Sequence, residues 1–598
     1  MVGRAMLPSP DAIPRSAFAR RATLLVFVLA AWVLAARGAD WHVAPSGEDT
    51  ASGGVSAPFA TLMRAQAAAS AGDTVWIEGG TYLLTDQQIA RSDTLYAYVH
   101  DFTKAGIAYR ALPGRTPVFD FSAVRPSARR ITAFYIRTHD LRFEGFHVVG
   151  VQVVIRAGEA TNTQSECFRI QNGNRNILDR LVLRDGMGIG VYIIGNSADN
   201  LVVDCDAYNN AGLDSLSIGN VDGFGAHTSA NGPGNTFRRC RAWLNSDDGF
   251  DFINCRAPAV IEECVAAFNG YLDATLSRGG DGTGFKAGGY GRNGSALPSP
   301  VPRHVVRRSL AVYNRANGFY ANHHPGGLDF LHNTAFRNAN NFSFLNVLPD
   351  NLTDVPGYAH LIKNNLSFSA RSNAVVSLEP AACDSSHNSF DLPVTVTSAD
   401  FVSAPNDVGS LLAAISVPRG SDGRLPDLDL LSLRDDSDLI DRGTPLPGDN
   451  YHLSAPDLGW RENVYTPPGA YGRWSLLQFP IGTPASDAAP VSDPDNDGLA
   501  NLLEFFHASD PHAASPAGER TAMLRQEDGA LALRFPVTRE LGEVTWQVEY
   551  STDLTLWQTT SHPFAVETQD LDRVYLRVPL PTPTPALFWR LKIMLPEG

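Results

Sequence analysis

The chain has 598 residues, too many for one compact core, so two or three folded units are expected. Glycine (52) and proline (39) are abundant and charged residues make up only 19%, the composition of a turn-rich folded protein without a long disordered tract. A net charge of −15 argues against nucleic acid or an anionic membrane as partner, but one bound cation can reverse the potential of a single groove, so an acidic substrate stays open.

At the N-terminus, Arg20 and Arg21 precede an apolar run from Ala22 to Ala36, and small residues follow to Ala39. The run is short for a membrane span and has basic residues in front of it, so residues 1–39 read as an export signal, with an uncleaved anchor as the alternative. The remainder is expected to be secreted or held at the cell surface, monomeric, and off the membrane after signal removal. Trp41 to Tyr82 then reads as a strand, a short helix from Leu62 to Ala71, and a second strand. Such a helix can cap the open end of a solenoid.

Five segments align downstream: Val203–Asn210, Arg238–Asn245, Glu262–Asn269, Arg307–Asn314 and Leu331–Asn338, with a weaker copy at Lys363–Ala370. In each, a small residue (Cys205, Cys240, Cys264, Ser309, Asn333) is followed two positions later by alanine and five positions later by asparagine. The copies are separated by 35, 24, 45, 24 and 32 residues, a unit near 24 with insertions. A unit so short cannot bury its own apolar face, so the copies must stack. Short alternating strands broken by Asn and Gly turns, as in Asn200–Asp204 and Ala259–Glu263, exclude helical repeats and leave a parallel β-helix. The aligned asparagines are expected to form an interior ladder, and the stacked cysteines to be small core residues rather than disulfides.

Within this repeat, Asn245-Ser-Asp-Asp-Gly-Phe-Asp-Phe252 places three carboxylates in five positions, and Gly284-Phe-Lys-Ala-Gly288 follows one coil and an insertion later. In an extended strand Asp247, Gly249 and Asp251 share one face and Phe250 and Phe252 the other with Asp248, unless the chain turns at Asp247 and Asp248. Clustered carboxylates repel unless a cation lies among them, and oxygen-only ligands suit calcium. A lysine beside a bound cation loses preference for its ammonium form, as a lysine base requires. Taken one at a time, an Asp/Gly turn and a surface lysine are the plainer readings; together they point to a catalytic site for an anionic substrate.

The opening segment, the coil repeat, Ser246–Asp251, Gly284–Gly289 and Asn317-Gly-Phe-Tyr-Ala-Asn-His-His324 together resemble polysaccharide lyase family nine over about residues 40–470. That resemblance implies a right-handed parallel β-helix and a calcium-dependent pectate lyase acting on polygalacturonate by β-elimination. It also implies four calcium-binding aspartates, Asp222, Asp247, Asp248 and Asp251, and Lys286 as the base. Asn322 and His323 are candidates to touch substrate, although a plain loop suits them too. Arg278, Arg292 and Arg315 are candidates to hold its carboxylates, although simple surface exposure is the plainer reading for any one of these arginines.

Residues 476–515 read as a linker. Within it Asp493, Asp495, Asp497, Leu499, Asn501 and Glu504 fill positions 1, 3, 5, 7, 9 and 12 of a calcium loop with Gly498 at position 6, and the loop runs into a short helix, Leu499 to His507. Residues 516–598 alternate as strands and read as a small β-sandwich. The expected architecture is therefore all-β: export signal 1–39, β-helix 40–475, linker 476–515 and sandwich 516–598, with the stretch Asp429–Gly443 closing the helix. Two competing functions remain, a β-helical glycoside hydrolase using a carboxylate pair and a non-catalytic, calcium-stabilised surface protein that binds carbohydrate.

Overall fold

A computed structural model describes residues 38–598 apart from 156–163, 421–422, 427, 435–436, 448, 450, 452–454, 464–469, 480–482, 484, 517–519, 526–529, 540, 543, 561–563, 570–572, 581–587 and 596–598. The leader read as an export signal falls, up to residue 37, outside the described residues.

The strands between residues 40 and 386 span two to seven residues, and most pair with their counterparts one coil away rather than with their neighbours in sequence. The result is a parallel β-helix of three long sheets with 12, 10 and 11 strands; all their pairings are parallel except one at the N-terminal end, where Arg91–Ser92 runs against Tyr96–Phe102. The corners follow a local rule. One is turned by Asp204, Arg239, Glu263, Arg308, His332 and Asn364, the next by Asn209, Leu244, Phe268, Tyr313 and Arg337, all with φ between 48° and 61°. This left-handed conformation costs a non-glycine residue roughly 1–2 kcal/mol, and the residue that follows each corner offsets the cost by bonding to the next coil.

After the second corner, Asn210, Asn245, Asn269, Asn314 and Asn338 form the expected ladder, each Nδ2 donating to the next Oδ1 at 2.9–3.1 Å. After the first, Cys240 N donates to Cys264 Sγ, Cys264 N to Ser309 Oγ, and Ser309 N to Asn333 Oδ1, at 3.4, 3.2 and 3.1 Å. The cysteines thus act as ladder rungs, and all six in the chain are unpaired thiols. Asn269→Ala would strip partners from the Asn245 N–H, the Ala242 carbonyl and the Asn314 Oδ1, all buried. It is expected to cost on the order of 3 kcal/mol or more, measured as a lower denaturation midpoint.

Inside the coils one continuous apolar core runs from Val43 to Ile362. Helix α1 (Leu62–Ala68), shorter than the expected Leu62–Ala71, is capped by Thr61 Oγ1 and adds Leu62 and Ala65 to that core beside the first strand. The region expected to close the helix instead lies along its flank. Helix α2 (Val408–Ile415) and Leu428, Leu430, Leu439 and Trp460 further on cover the outer face of the second sheet, where Leu411, Ile415, Leu430 and Leu439 join one apolar cluster with Trp243, Val265, Val312 and Phe336. The reason is that Trp243, Ala267, Val312 and Phe336 stand in register on four successive coils and would otherwise form an exposed apolar stripe. Helices α3 (Ala470–Gln478) and α4 (Asn501–His507) lead to two antiparallel sheets of four and three strands, closed on Leu533, Phe535, Val548 and Leu576 as a β-sandwich. Among the described residues, no helix is long and apolar enough to cross a membrane.

Candidate active site

The third sheet carries the site on β1 (Ile189–Gly195), β2 (Phe224–Thr228), β3 (Phe250–Asp251), β4 (Phe285–Lys286) and β5 (Asn317–Tyr320). A Gly-Phe pair begins the pattern in β2 to β5. A Cβ on Gly223, Gly249, Gly284 or Gly318 would come within 3.1 Å of the amide of Asn245, Asn269, Asn314 or Asn338 respectively, so only glycine lets the strand close on the ladder. The next residue points inward: Phe224, Phe250, Phe285, Phe319 and Phe342 stack at 4.8–5.0 Å, one coil per ring. The residue after that must therefore face outward. Strand register lines up Tyr192, Gly225, Asp251, Lys286 and Tyr320 as a single outward row.

Asp247 and Asp248 lie in a turn just before β3, so the carboxylates converge with Asp251 while Phe250 and Phe252 enter the core. Each aspartate uses one oxygen to accept a backbone N–H. Asp222 Oδ1 accepts from Asp248 N at 3.0 Å, Asp247 Oδ1 from Asp281 N at 2.6 Å, Asp248 Oδ1 from Thr283 N at 2.6 Å and Asp251 Oδ1 from Ile253 N at 2.7 Å. The glycine-rich insertion before β4 supplies two of these donors. A Cβ on Gly280 would sit 2.5 Å from Asp247 Oδ1, which explains the glycine there. Lys286 Nζ reaches Asp248 Oδ2 at 3.0 Å and Asp251 Oδ2 at 3.3 Å.

Carboxylate oxygens of Asp222, Asp248 and Asp251 lie within 4.8 Å of one another. Asp247 stands outside that triad but is close enough to act on it electrostatically. Burial, reinforced by Asp247, pushes the Asp222 carboxyl well above the usual range; burial and then Asp248 do the same to Asp247. Asp248 is also raised by burial, against the pull of Lys286. For Lys286 the burial cost is outweighed by Asp248, Asp251, Asp222 and Asp247, which hold its ammonium form well above the ordinary lysine value. Four acidic groups around one lysine are thus short of positive charge, and their oxygen-only donor set fits a calcium ion. A cation there would also relieve the hold that keeps Lys286 protonated.

The other candidates divide. Arg292 and His323 both pair with Asp354, at 3.0 and 2.7 Å, beside Tyr320. Arg315 instead donates to Gly280 O at 2.7 Å and holds the insertion, and Asn322 donates to Gly288 O at 2.6 Å. Arg278 is exposed on that insertion. Sequence reasoning passed over Tyr192, Tyr320 and His227, whose Nε2 is 3.9 Å from Asp251 and whose Nδ1 meets the Tyr192 hydroxyl at 3.2 Å. The repeated Gly-Phe pair would have placed Tyr320 in the row with Lys286.

The model of the family described as Pel9A-like, right handed beta helix region, matches residues 41–365. The chain belongs to that family. This Pel9A-like chain is similar to pectate lyase L of Dickeya dadantii (strain 3937), 31% identical over 424 residues that cover 70% of it and 89% of the relative. Among solved structures it is similar to a rhamnogalacturonan lyase, with 42% identity and a TM-score of 0.62 over 67% of this chain and 97% of that one. It is also similar to pectate lyase Pel9A, with 30% identity and a TM-score of 0.55 over 71% and 96%. The β-helix is accordingly right-handed.

Proposed function

We propose that this Pel9A-like chain is an exported polysaccharide lyase that cleaves polygalacturonate by β-elimination, with Lys286 as base and calcium held by Asp222, Asp247, Asp248 and Asp251. The carrying observation is that Lys286 Nζ sits inside a buried carboxylate cluster, yet on the outward row of a sheet where a polymer can lie. When bound, calcium would offset the charge of the substrate carboxylate and acidify the neighbouring C5–H. Neutral Lys286 Nζ takes that C5 proton, the C4–C5 double bond forms, the C4–O bond breaks, and the departing glycosidic oxygen takes a proton from solvent. Asp248 and Asp251 orient Nζ, and their second oxygens are fixed by backbone N–H groups, so the base is positioned before substrate arrives.

A hydrolase fits the geometry less well. It needs a separated acid/base pair of carboxyl groups; Asp247 and Asp248 could supply it, but Lys286, ion-paired to Asp248 and Asp251, would then have no part in the reaction. A second lyase reading is favoured by the 42% identity to a rhamnogalacturonan lyase, against 30% to pectate lyase Pel9A. The same base and carboxylate cluster would then act on a galacturonate flanked by a neutral sugar. Ultraviolet absorbance of the unsaturated product, followed on polygalacturonate and on rhamnogalacturonan with calcium or a chelator, tests both. Calcium-dependent absorbance from polygalacturonate is the expected result; product only from rhamnogalacturonan would transfer the assignment, and new reducing ends without absorbance would overturn it.

A further inference from the structure

The loop before α4 presents a second acidic cluster, far along the chain from Lys286. Asp493, Asp495 and Asp497 offer carboxylate oxygens within 4.8 Å of one another. The turn is set by Asn496 and Gly498, with φ of 59° and 92°, and by Asp493 accepting from the Asp497 and Gly498 N–H groups at 3.2 and 2.9 Å. Acidic turns of this kind are common without an ion. What separates this one is the helix beyond it. Glu504 and Asn501 are fully buried, at 0% exposure, and each keeps a bare side-chain oxygen: Glu504 Oε2 and Asn501 Oδ1 have no hydrogen-bond partner, nor has Asp495 Oδ2. The Asn501 amide is fixed by Nδ2 donating to Asp487 O and Ala489 O at 2.6 and 2.9 Å. The Glu504 carboxylate lies within electrostatic reach of all three loop aspartates. The other Glu504 oxygen, Oε1, accepts only from the Ser509 hydroxyl at 3.4 Å. A buried carboxylate oxygen left bare beside three other carboxylates is costly, and the partner such oxygens accept is a hard divalent cation.

The same helix joins two packing units. Phe506 enters the sandwich core, 6.0 Å from Phe535 and 6.1 Å from Trp546, while Phe505 packs 5.6 Å from Tyr471 and 5.7 Å from Trp474 on α3. Arg520, just before the first sandwich strand, ties that strand to the loop through Asp497 Oδ2 at 2.8 Å and Asp497 O at 2.8 Å. We propose that Asp493, Asp495, Asp497, Asn501 and Glu504 bind a calcium ion that clamps α4 between α3 and the β-sandwich, with no part in catalysis.

Calorimetric titration of calcium into the full chain, paired with thermal melts, tests this. Wild type is expected to bind two ions, Asp248→Asn to keep the loop ion, and Asp495→Asn or Glu504→Gln to lose it while the elimination rate in saturating calcium stays within about twofold. Calcium should raise the melting temperature of Asp248→Asn, and that rise should vanish in Asp248→Asn combined with Asp495→Asn. Glu504 is buried and its variant is the more prone to misfold, so Asp495→Asn decides the result alone if needed. Unchanged stoichiometry in Asp495→Asn, or no binding by Asp248→Asn, overturns the proposal. A wild type that retains the loop ion but yields no unsaturated product would sink the lyase reading and leave this one standing.

Discussion

Lys286→Ala is expected to lower the rate of unsaturated-product formation by roughly 10²–10⁴-fold, the usual range for a positioned general base. The loss should fall on kcat rather than KM, because Nζ acts on the C5 proton and the carboxylate cluster remains to meet the substrate. Lys286→Arg should be nearly as inactive: a guanidinium reaches the same carboxylates but does not deprotonate in this range. Calcium affinity should survive in both variants and rise in Lys286→Ala, where removing an ammonium 3.0 Å from Asp248 removes a competitor for the same oxygens. A Lys286→Ala protein that turns over at the wild-type rate would take this side chain out of the reaction altogether.

Asp222→Asn is expected to have opposite effects with and without calcium. In the metal-free protein the Asp222 carboxyl is pushed up by burial and then by Asp247, Asp251 and Asp248, so its ionised form destabilises the fold. A carboxyl raised in this way contributes stability that is fully present below its unfolded value, near 3.8, and lost as pH rises towards the folded value. Melting temperature in chelator should therefore fall as pH climbs from about 4 through neutrality, and Asp222→Asn should flatten that fall and melt higher than wild type at pH 7. With calcium the order reverses, because the variant lacks an anionic ligand and gains less from binding. Matched melts in calcium and chelator, with calorimetric affinities, supply the check; equal shifts in both conditions would remove Asp222 from the cation's surroundings.

The repeat showed the solenoid in the sequence because one physical requirement, a side-chain bond from each corner to the next coil, recurs at Asn210, Asn245, Asn269, Asn314 and Asn338 in register. The cluster around Asp248 was legible for a similar reason: buried like charges need a partner, and Lys286 followed a Gly-Phe pair one coil on. Less legible was the work done by the backbone. That Asp281 and Thr283 donate their N–H groups to Asp247 and Asp248 depends on how a glycine-rich insertion folds, which no side-chain pattern encodes. The position of Leu430, Leu433 and Leu439 was likewise hidden, since these leucines match the outward face of Trp243 and Val312 only once the coils are stacked. Arg315 and Asn322 looked like substrate contacts because polar residues near a site are ambiguous until their hydrogen bonds are traced.

Lys286 and its aspartates sit on or just before the fourth to sixth strands from the C-terminal edge of an 11-strand sheet, with intact coils on either side. In a stack held by nearest-neighbour contacts, melting starts at the two ends and moves inward. The outermost turns therefore serve as sacrificial layers: they can fray, be nicked or exchange their amide hydrogens while the centre that does the chemistry keeps its geometry. Heat inactivation should lag behind the first loss of strand structure, and the last amides to exchange should be those of Phe250 and Phe285.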